Sequence, residues 1–394
     1  MAPAAIVSPI SRYRTAIVAC GMIARVHARG WLGVPGRPTR IAAVADSNPD
    51  ALREFGAFFE VDEAQRYADY RDMLDRERPD FVDVCSWHGQ HAEMVIAAAA
   101  RRPRAIICQK PMALDLGQAD AMLTACERNG VRLLVAYQRP HHATWLRARE
   151  LLRAGAIGRI RQVTVQAGGN LLNVSSHNIR LALFLMDEPE VEWVVGAVER
   201  STDLFERGVP AEETCIGLAG CADGATLLIE SGCAGEQTCR VIGSEGMMEL
   251  GTAAPPAEEV PSDAPMYMPE GPSARYNCER GTARYLSAET GGWREVEAPW
   301  HDCWARQCRE AVDWVEGRIE RPISGADRGR AVQEIMMALY ESARKRRRIP
   351  LPLKTRLNPL SLMVERGELA VEWPGRYESR SRIVRGEGMA WPIA

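Results

Sequence analysis

Thr-Ala-Ile-Val-Ala-Cys-Gly-Met-Ile-Ala, residues 15–24, is the stretch that decides the fold. Residues 15–19 predict a short buried strand, and a helix pattern runs from Met22 to Trp31. The turn between them fits the dinucleotide-binding pattern G-x-G-x-x-G/A, with alanine in the first glycine's place. Gly21 leaves the backbone bare for a pyrophosphate, and Ala24 is small where helix meets strand. We expect the turn and the first helical amides to bind the cofactor through Ala19, Gly21, Met22 and Ile23.

A second predicted strand, Ile41–Ala45, ends at Asp46, 25 residues beyond Gly21. An acidic residue at this place accepts hydrogen bonds from the ribose hydroxyls of NAD. Its charge would repel the 2′-phosphate of NADP, and no arginine follows it directly. The pattern therefore favours NAD over NADP, with Asp46 and its neighbour Ser47 at the ribose.

The first 139 residues alternate between strand and helix patterns. Further strands are predicted at 81–86, 105–108 and 132–137, and the helices between them at 91–100 and 116–128. Asp115 with Gln118 three residues later is typical of a capping box at the start of the second of these helices. Such alternation predicts a parallel sheet with helices on both faces, here a Rossmann α/β domain over residues 13–139.

Strand patterns with few helices dominate after residue 140. Helices are predicted at 143–154, 176–186, 303–317 and 326–345, and strands at 161–167, 191–200, 215–219, 226–231 and 240–242. This order predicts an α+β domain with a mostly antiparallel sheet over residues 140–353. Residues 1–12 are expected to form a disordered arm, 253–275 a long loop, and 354–394 a C-terminal extension with little periodicity.

The composition excludes several classes of protein. With 394 residues, 46% of them hydrophobic, the chain can form two cores, and its net charge of -3 argues against nucleic acid or an anionic membrane as a partner. No apolar run approaches the roughly 18 residues of a membrane helix, and the N-terminus lacks the basic start of a signal peptide. Eleven cysteines without a C-x-x-C pair or zinc-ligand spacing predict reduced thiols in a cytoplasm and no metal site.

Lysine is rare in this chain. Only Lys110, Lys345 and Lys354 are lysines among 49 basic residues. Arginine keeps its proton in proteins, whereas burial can lower the pKa of a lysine into the working range. The isolated Lys110 therefore indicates a site that needs a titratable amine.

Two loops are expected to flank the cofactor, because open α/β sheets bind ligands at the carboxyl ends of their strands. From the first loop we expect cofactor contacts from Ser86, Trp87, His88 and His91. From the second loop we expect contacts from Gln109 and Lys110. Pro111 restricts Lys110 to extended backbone and permits a cis peptide bond there.

These segments resemble the Gfo/Idh/MocA (glucose–fructose oxidoreductase / inositol dehydrogenase) family. The family pattern Thr-Pro-x-x-x-His appears here as Ser-Trp-His-Gly-Gln-His at 86–91, and Glu-Lys-Pro appears as Gln-Lys-Pro at 109–111. The resemblance continues in order through Gly-Ala-Ile-Gly at 155–158, Gly-Ser-Glu-Gly at 243–246 and the segment 322–352. It covers nearly the whole chain up to about residue 353.

The resemblance implies that Lys110 assists proton transfer at the reacting hydroxyl or carbonyl and that His177 is its catalytic partner. The family motif Asp-x-x-x-His-x-x-Asp departs here at both acids, which become Asn173 and Arg180. Asn173 can hydrogen-bond a sugar hydroxyl but cannot act as a base, and Arg180 can clamp a substrate carboxylate. The expected substrate contacts are Lys110, Gln138, Asn173, His177 and Arg180.

The function that the resemblance implies is NAD-dependent hydride transfer to or from a secondary hydroxyl or carbonyl of a sugar, cyclitol or related polyol, by a homodimer or homotetramer. One alternative is an enzyme that keeps NAD tightly bound and oxidises a sugar carbon only transiently, for elimination or glycoside cleavage. Another is a non-catalytic ligand sensor, against which the retained Lys110 and His177 argue.

Overall fold

The computed structural model describes residues 12–36, 38–232, 238–253, 280–299, 301–369 and 371–378. The expected N-terminal arm, apart from residue 12, and the expected loop beyond residue 253 lie outside these described residues.

The N-terminal domain is built on a six-stranded sheet in which every pairing is parallel, in the order β3-β2-β1-β4-β5-β6. Its strands are β1 Tyr13–Val18, β2 Thr39–Ala45, β3 Arg66–Tyr67, β4 Phe81–Val84, β5 Ala105–Cys108 and β6 Arg132–Val135. Its helices are α1 Met22–Leu32, α2 Pro49–Phe58, α3 Tyr70–Glu77, α4 His91–Ala99 and α5 Leu116–Asn129. The Rossmann architecture is confirmed. The two-residue strand β3 and helix α3 were not predicted.

Local sequence explains where the helices of this domain begin. The Asn48 side chain accepts hydrogen bonds from the amides of Asp50 and Ala51 at the start of α2. Asp115 accepts from the amide of Gln118, whose own side chain reaches back to the amide of Leu114, so the predicted capping box forms one residue wider than the usual pair. These caps satisfy backbone amides at the start of α2 and near the start of α5.

The C-terminal domain is built on a nine-stranded sheet in which seven of the eight pairings are antiparallel, in the order β16-β15-β14-β13-β7-β12-β11-β8-β17. The strands of this half of the chain are β7 Ile160–Ala167, β8 Val191–Glu199, β9 Thr202–Glu206, β10 Val209–Pro210, β11 Thr214–Cys221, β12 Thr226–Ser231, β13 Thr238–Gly243, β14 Gly246–Ala253, β15 Arg280–Ser287, β16 Arg294–Glu295, β17 Ile349–Pro350 and β18 Trp373–Glu378. The helices are α6 Ala143–Arg153, α7 Ser176–Leu185, α8 Cys303–Val315, α9 Ala326–Lys345 and α10 Pro359–Glu365. The predicted mostly antiparallel sheet is confirmed.

Helix α9 packs closely on one face of this sheet. Gly196 of β8 and Gly217 of β11 are paired across the sheet, and both face Leu339. A Cβ at Gly217 would lie 2.0 Å from Leu339 Cδ2, so glycine is required for this contact. The opposite face carries exposed apolar side chains, with Val195 41% and Ile216 49% exposed.

The described part of the C-terminal extension, residues 354–369 and 371–378, forms more regular structure than its sequence indicates. The carbonyl of Arg356 accepts from the amide of Gly117, and Asn358 caps α10 while donating to the carbonyl of Leu114. Further along, β18 pairs in parallel with β9 in a small sheet of order β10-β9-β18. The extension has little periodicity of its own because its partners lie far away in the chain.

No helix among the described residues is long and apolar enough to cross a membrane. The nine cysteines in the described ranges are all buried and carry free thiols.

Candidate functional site

The turn between β1 and α1 offers a backbone cradle for a phosphate group. Ala19 has φ +72°, the left-handed conformation that favours glycine, at the place of the first glycine in the sequence pattern. A Cβ added at Gly21 would meet nothing within 4 Å, so the space above this residue is open. Helix α1 begins at Met22 without a side-chain cap, which leaves its first amides available to an anion. The turn therefore fits a pyrophosphate.

Asp46 stands beside this turn at the end of β2. Its carboxylate accepts from the amides of Cys20 and Asn48, each at 2.7 Å. Ser47 next to it is exposed. A carboxylate has about four acceptor positions, so two amide bonds leave capacity for the hydroxyls of a ribose. Asp46 thus anchors the turn and also suits the predicted sugar contact.

The loop after β4 carries the four residues predicted there. Trp87 is 40% exposed. His91 is buried, with Nδ1 2.9 Å from the carbonyl of Pro111 and Nε2 3.0 Å from the carbonyl of Ser86. Burial lowers the pKa of His91 to about 4, and a neutral ring donates only one proton to this pair of carbonyls. His91 therefore links the two loops, and its ring nitrogens face their backbone carbonyls.

His88, in the same loop, is buried, whereas its neighbour Trp87 is exposed. The Nδ1 of His88 has no hydrogen-bond partner among the described residues. It lines a small cleft together with Asn173 and Glu206, which belong to the other domain. The pKa of His88 is lowered to about 3, mainly by burial and to a smaller extent by the nearby charge of Arg207. A neutral imidazole whose Nδ1 lacks a partner among the described residues suits a hydroxyl-bearing ligand in this cleft.

Gln109 lies beneath the loop that follows β5. Its Oε1 accepts from the amide of Lys110 at 2.8 Å, and its Nε2 lies 2.9 Å from His27 Nε2. An amide nitrogen only donates, so His27 accepts there and carries its proton on Nδ1, which donates to Asp83 at 2.8 Å. Trp31 also donates to Asp83. The Gln109 side chain therefore supports Lys110 from below, and a cofactor contact from it is not supported.

The same network includes the one group of described residues close enough together to hold a metal ion: His27, Asp83 and Cys85. Both nitrogens of His27 already have partners, and burial raises the pKa of Cys85 well above its usual value. These are poor conditions for a metal ligand set, which needs an unpaired imidazole nitrogen and a thiolate.

Lys110 connects the two domains. The Lys110–Pro111 peptide bond is cis, as the sequence permits. Its Nζ donates to Asn173 twice, to the backbone carbonyl at 2.7 Å and to Oδ1 at 3.1 Å. Asn173 lies in a π-helical turn, Leu171–Ser175, that leads directly into α7. The lysine predicted from composition is therefore fixed against the segment that carries the predicted histidine.

His177 lies in the first turn of α7. Its ring meets the Tyr137 ring edge-on, with centroids 5.8 Å apart, and its Nδ1 has no hydrogen-bond partner among the described residues. Burial lowers its pKa well below the usual value, and the charges of Lys110 and Arg139 add to this effect. The neutral ring can accept a proton. The Oε1 of Gln138 is likewise buried and has no partner in the described part of the chain.

Arg180 is the one predicted substrate contact that the structure directs elsewhere. It is fully buried, and its guanidinium donates to Glu188 at 2.9 and 2.6 Å and to the carbonyl of Ile323 at 2.9 Å. A paired carboxylate neutralises the charge that would have clamped a substrate. The local motif does not reveal this pairing, because Glu188 lies beyond the other end of α7.

Glu206 is a site residue that the sequence analysis missed. It lies at the end of β9, is 5% exposed, and accepts from Asn173 Nδ2 at 2.6 Å and from Asn170 Nδ2. Strand β9 carries no motif. The only local signal is Arg207-Gly208, whose φ values of +53° and +79° form the two-residue hairpin turn after it.

Comparison with known proteins assigns the chain to a family. Two family profiles match: "Oxidoreductase family, NAD-binding Rossmann fold" over residues 13–137 and "Oxidoreductase family, C-terminal alpha/beta domain" over residues 149–352. D-apiose dehydrogenase of Paraburkholderia graminis is 36% identical over 149 residues, which is 38% of each chain. Myo-inositol 2-dehydrogenase of Thermotoga maritima is 26% identical over 261 residues, 59% of this chain and 73% of that protein. The match to the apiose enzyme thus spans well under half of its length.

Among solved structures, the aldose–aldose oxidoreductase of Caulobacter crescentus complexed with glycerol has a TM-score of 0.71 at 22% identity, covering 86% of this chain and all of that chain. This likeness supports the two-domain fold. The two family profiles match most of the sequence in order, and they show that the chain belongs to the Gfo/Idh/MocA oxidoreductase family.

Proposed function

We propose that this protein is a dehydrogenase that transfers a hydride between NAD and a secondary hydroxyl or carbonyl of a sugar, cyclitol or related polyol. The observation that carries the proposal is the contact of Lys110 with Asn173 beside the neutral His177. This contact joins the edge of the sheet that fits a dinucleotide to the segment of the second domain in which buried polar atoms lack partners.

Bound NAD supplies the hydride acceptor or donor at its nicotinamide ring. The chain's residues manage the proton at the substrate oxygen. Lys110 presents an ammonium that can stabilise a developing alkoxide, and the neutral His177 can take the hydroxyl proton in the direction of oxidation. His88 and Gln138 offer buried polar atoms to the neighbouring hydroxyls.

The choice of NAD over NADP rests on Asp46. Its carboxylate is held next to the phosphate cradle by two backbone amides, and a 2′-phosphate there would meet a negative charge. The family profile is NAD-binding by description. A comparison of turnover with the two cofactors tests this part of the proposal.

Polyols are the proposed substrates for two reasons. Besides Lys110 and Glu206, the site presents amides and neutral imidazoles, which suit hydroxyls, and Arg180 is occupied by Glu188. Two of the relatives are also named as dehydrogenases of D-apiose and of myo-inositol.

The decisive experiment is a screen of sugars, cyclitols and sugar acids for NADH production, with Lys110→Met as the blank. We expect the variant to keep NAD binding and to lose about a hundredfold or more in turnover, the usual scale for a general acid–base group. Lys345→Met is the matched control, because that lysine pairs with Glu341 at the surface end of α9.

Three outcomes of the screen separate the alternatives. Undiminished turnover in Lys110→Met would refute the assignment of the lysine. Protein purified with bound NAD but without net NADH on any polyol would favour transient oxidation for elimination or glycoside cleavage. Ligand binding without any chemistry would favour a sensor.

We also propose that the protein works as a homodimer or homotetramer in the cytoplasm. Val195 and Ile216 leave an apolar area on the open face of the large sheet, which a second copy can cover. Light scattering of the wild type and of Ile216→Glu tests the assembly: a monomeric wild type contradicts it. Buried, free cysteines agree with a reducing compartment.

A further inference from the structure

The cleft between the domains contains a carboxylate that the proposed chemistry does not yet use. Glu206 comes from the β9–β10 hairpin and not from the helix that carries His177. The family motif places an acid at position 173, but this chain has asparagine there. The side-chain amide of Asn173 contacts both the Glu206 carboxylate and the Lys110 ammonium.

The hydrogen bonds around Glu206 determine how this amide is oriented. An ionised carboxylate only accepts, so the Asn173 Nδ2 must face Glu206 and its Oδ1 must face Lys110. Asn170 repeats the arrangement: its Nδ2 donates to Glu206, and its Oδ1 accepts from the amide of Asn173 at 2.9 Å. Without a pure acceptor at 206, the amide of Asn173 can turn its NH₂ toward the lysine, which would repel the ammonium.

The position of Glu206 is built into the fold. It is paired with Val209 across a two-residue turn, so the backbone direction at Glu206 is set by the hairpin. A second carboxylate, Glu212, accepts from the amide of Leu171 at 2.5 Å and from the hydroxyl of Tyr340 at 2.6 Å. The hairpin and its continuation therefore hold both the backbone and the side chains of the turn that touches Lys110.

We propose that Glu206 is a positioning residue that acts on Lys110 through Asn173, and that it supplies from a different strand the negative charge that the family motif carries at position 173. This inference rests on the proposed function for its catalytic meaning. Its effect on the lysine itself is independent of any substrate. The imidazoles of His88 and His177 also interact electrostatically with Lys110, and the guanidiniums of Arg207 and Arg139 act on these two rings.

The test measures the pKa of Lys110 directly. Because the chain has only three lysines, trace acetylation at a series of pH values, followed by peptide mass spectrometry, gives a separate titration curve for each. Removing a nearby negative charge disfavours the ammonium, so Glu206→Gln should lower the pKa of Lys110 by about one pH unit. Lys345 and Lys354 serve as internal controls and should not change.

Three variants sharpen the result. Asp203→Asn removes a carboxylate from the same strand, where it pairs with Arg200, and should leave the Lys110 curve in place. Asn173→Asp added to Glu206→Gln returns the charge to the family position and should restore the pKa. Glu206→Asp keeps the charge and should shift the Lys110 titration curve less than Glu206→Gln does. It also provides a second test if Glu206→Gln folds poorly.

The pH dependence of kcat should shift in the same direction as the pKa of Lys110. If Lys110 takes part in turnover, the limb of the pH–kcat profile that reports it moves to lower pH in Glu206→Gln. An unchanged Lys110 titration in a folded Glu206→Gln variant overturns this inference, as does an equal shift in Asp203→Asn. Failure of the proposed function appears elsewhere, as full turnover in Lys110→Met.

Discussion

Ala19 has an unusual backbone conformation for a residue with a side chain. A left-handed conformation costs an L-residue about 1–2 kcal/mol, and glycine avoids this cost at the expense of about 0.4–1 kcal/mol of added freedom in the unfolded chain. Ala19→Gly should therefore raise the free energy of unfolding by about 0.5–1 kcal/mol, measured by urea denaturation. Ala24→Gly, in a fully buried helical position, is the opposite control and should be destabilising. Equal losses in both variants would contradict the account.

The family motif explains single residues only when their partners are known. Gln109 replaces a glutamate, yet it forms bonds that a glutamate could not form with the same His27 tautomer, because His27 Nε2 must accept. Arg180 replaces an acid and is paired with Glu188, which follows the C-terminal end of α7. Gln109 thus holds the backbone amide of Lys110 in place, whereas the fully buried Arg180 forms an ion pair in the core.

At the scale of elements, the C-terminal extension and the site meet at one strand. Strand β9 is central in its small sheet, antiparallel to β10 and parallel to β18, and the amides of Glu372 and Trp373 donate to the carbonyl of Ser201 just before it. Glu206 is the last residue of β9. The extension, which lies beyond the family profiles, therefore stabilises the strand that reaches Asn173.

Removal of residues 370–394 should loosen this strand. Because β9 then has a neighbour on one side only, we expect the amides of Thr202–Glu206 to exchange hydrogen about tenfold faster or more, measured by mass spectrometry. Removal of residues 379–394 keeps β18 and should leave these amides as they are in the full chain. Equal exchange in all three proteins would show that β9 does not depend on the extension.

At the scale of the whole molecule, buried ionisable groups determine the pH range of stability. Burial lowers the pKa of His88, His141 and His142 to about 3 and that of His91 to about 4. An unfolded histidine binds its proton near pH 6.5, so the unfolded state gains protons that the folded state refuses as the pH falls. These histidines therefore contribute stability above pH 6.5 that is lost toward pH 4 and below.

Two buried glutamates act in the opposite direction. Burial raises the pKa of Glu212 and of Glu310 to about 7, so their contribution is complete below about pH 4.5 and is lost as the pH rises through 7. These four histidines, together with His177, whose pKa is also lowered by burial, outnumber the two glutamates. Urea denaturation should therefore show a net loss of stability as the pH falls from 6.5 to 5. The loss is roughly 1.4 kcal/mol per pH unit for each proton that the unfolded state binds in excess of the folded state.

His142→Gln should make this loss less steep by about one proton, because a buried group that resists protonation is gone. Its ring packs on Trp145, so the absolute stability at pH 7.5 is also expected to fall, and only the slope against pH tests the electrostatic account. An unaltered slope would refute it.

The sequence by itself determined what depends on short stretches of chain. The turn after β1, the cap at Asn48, the capping box at Asp115 and the alternation of the first domain follow from local conformational preference and periodicity. The position of Lys110 also followed, because parallel strands present their carboxyl ends at one edge. Only the tertiary structure decided which partners the side chains take: Gln109 with His27, Arg180 with Glu188, and Glu206 with Asn173. Such pairings join residues that local patterns cannot relate, since they depend on how distant elements pack.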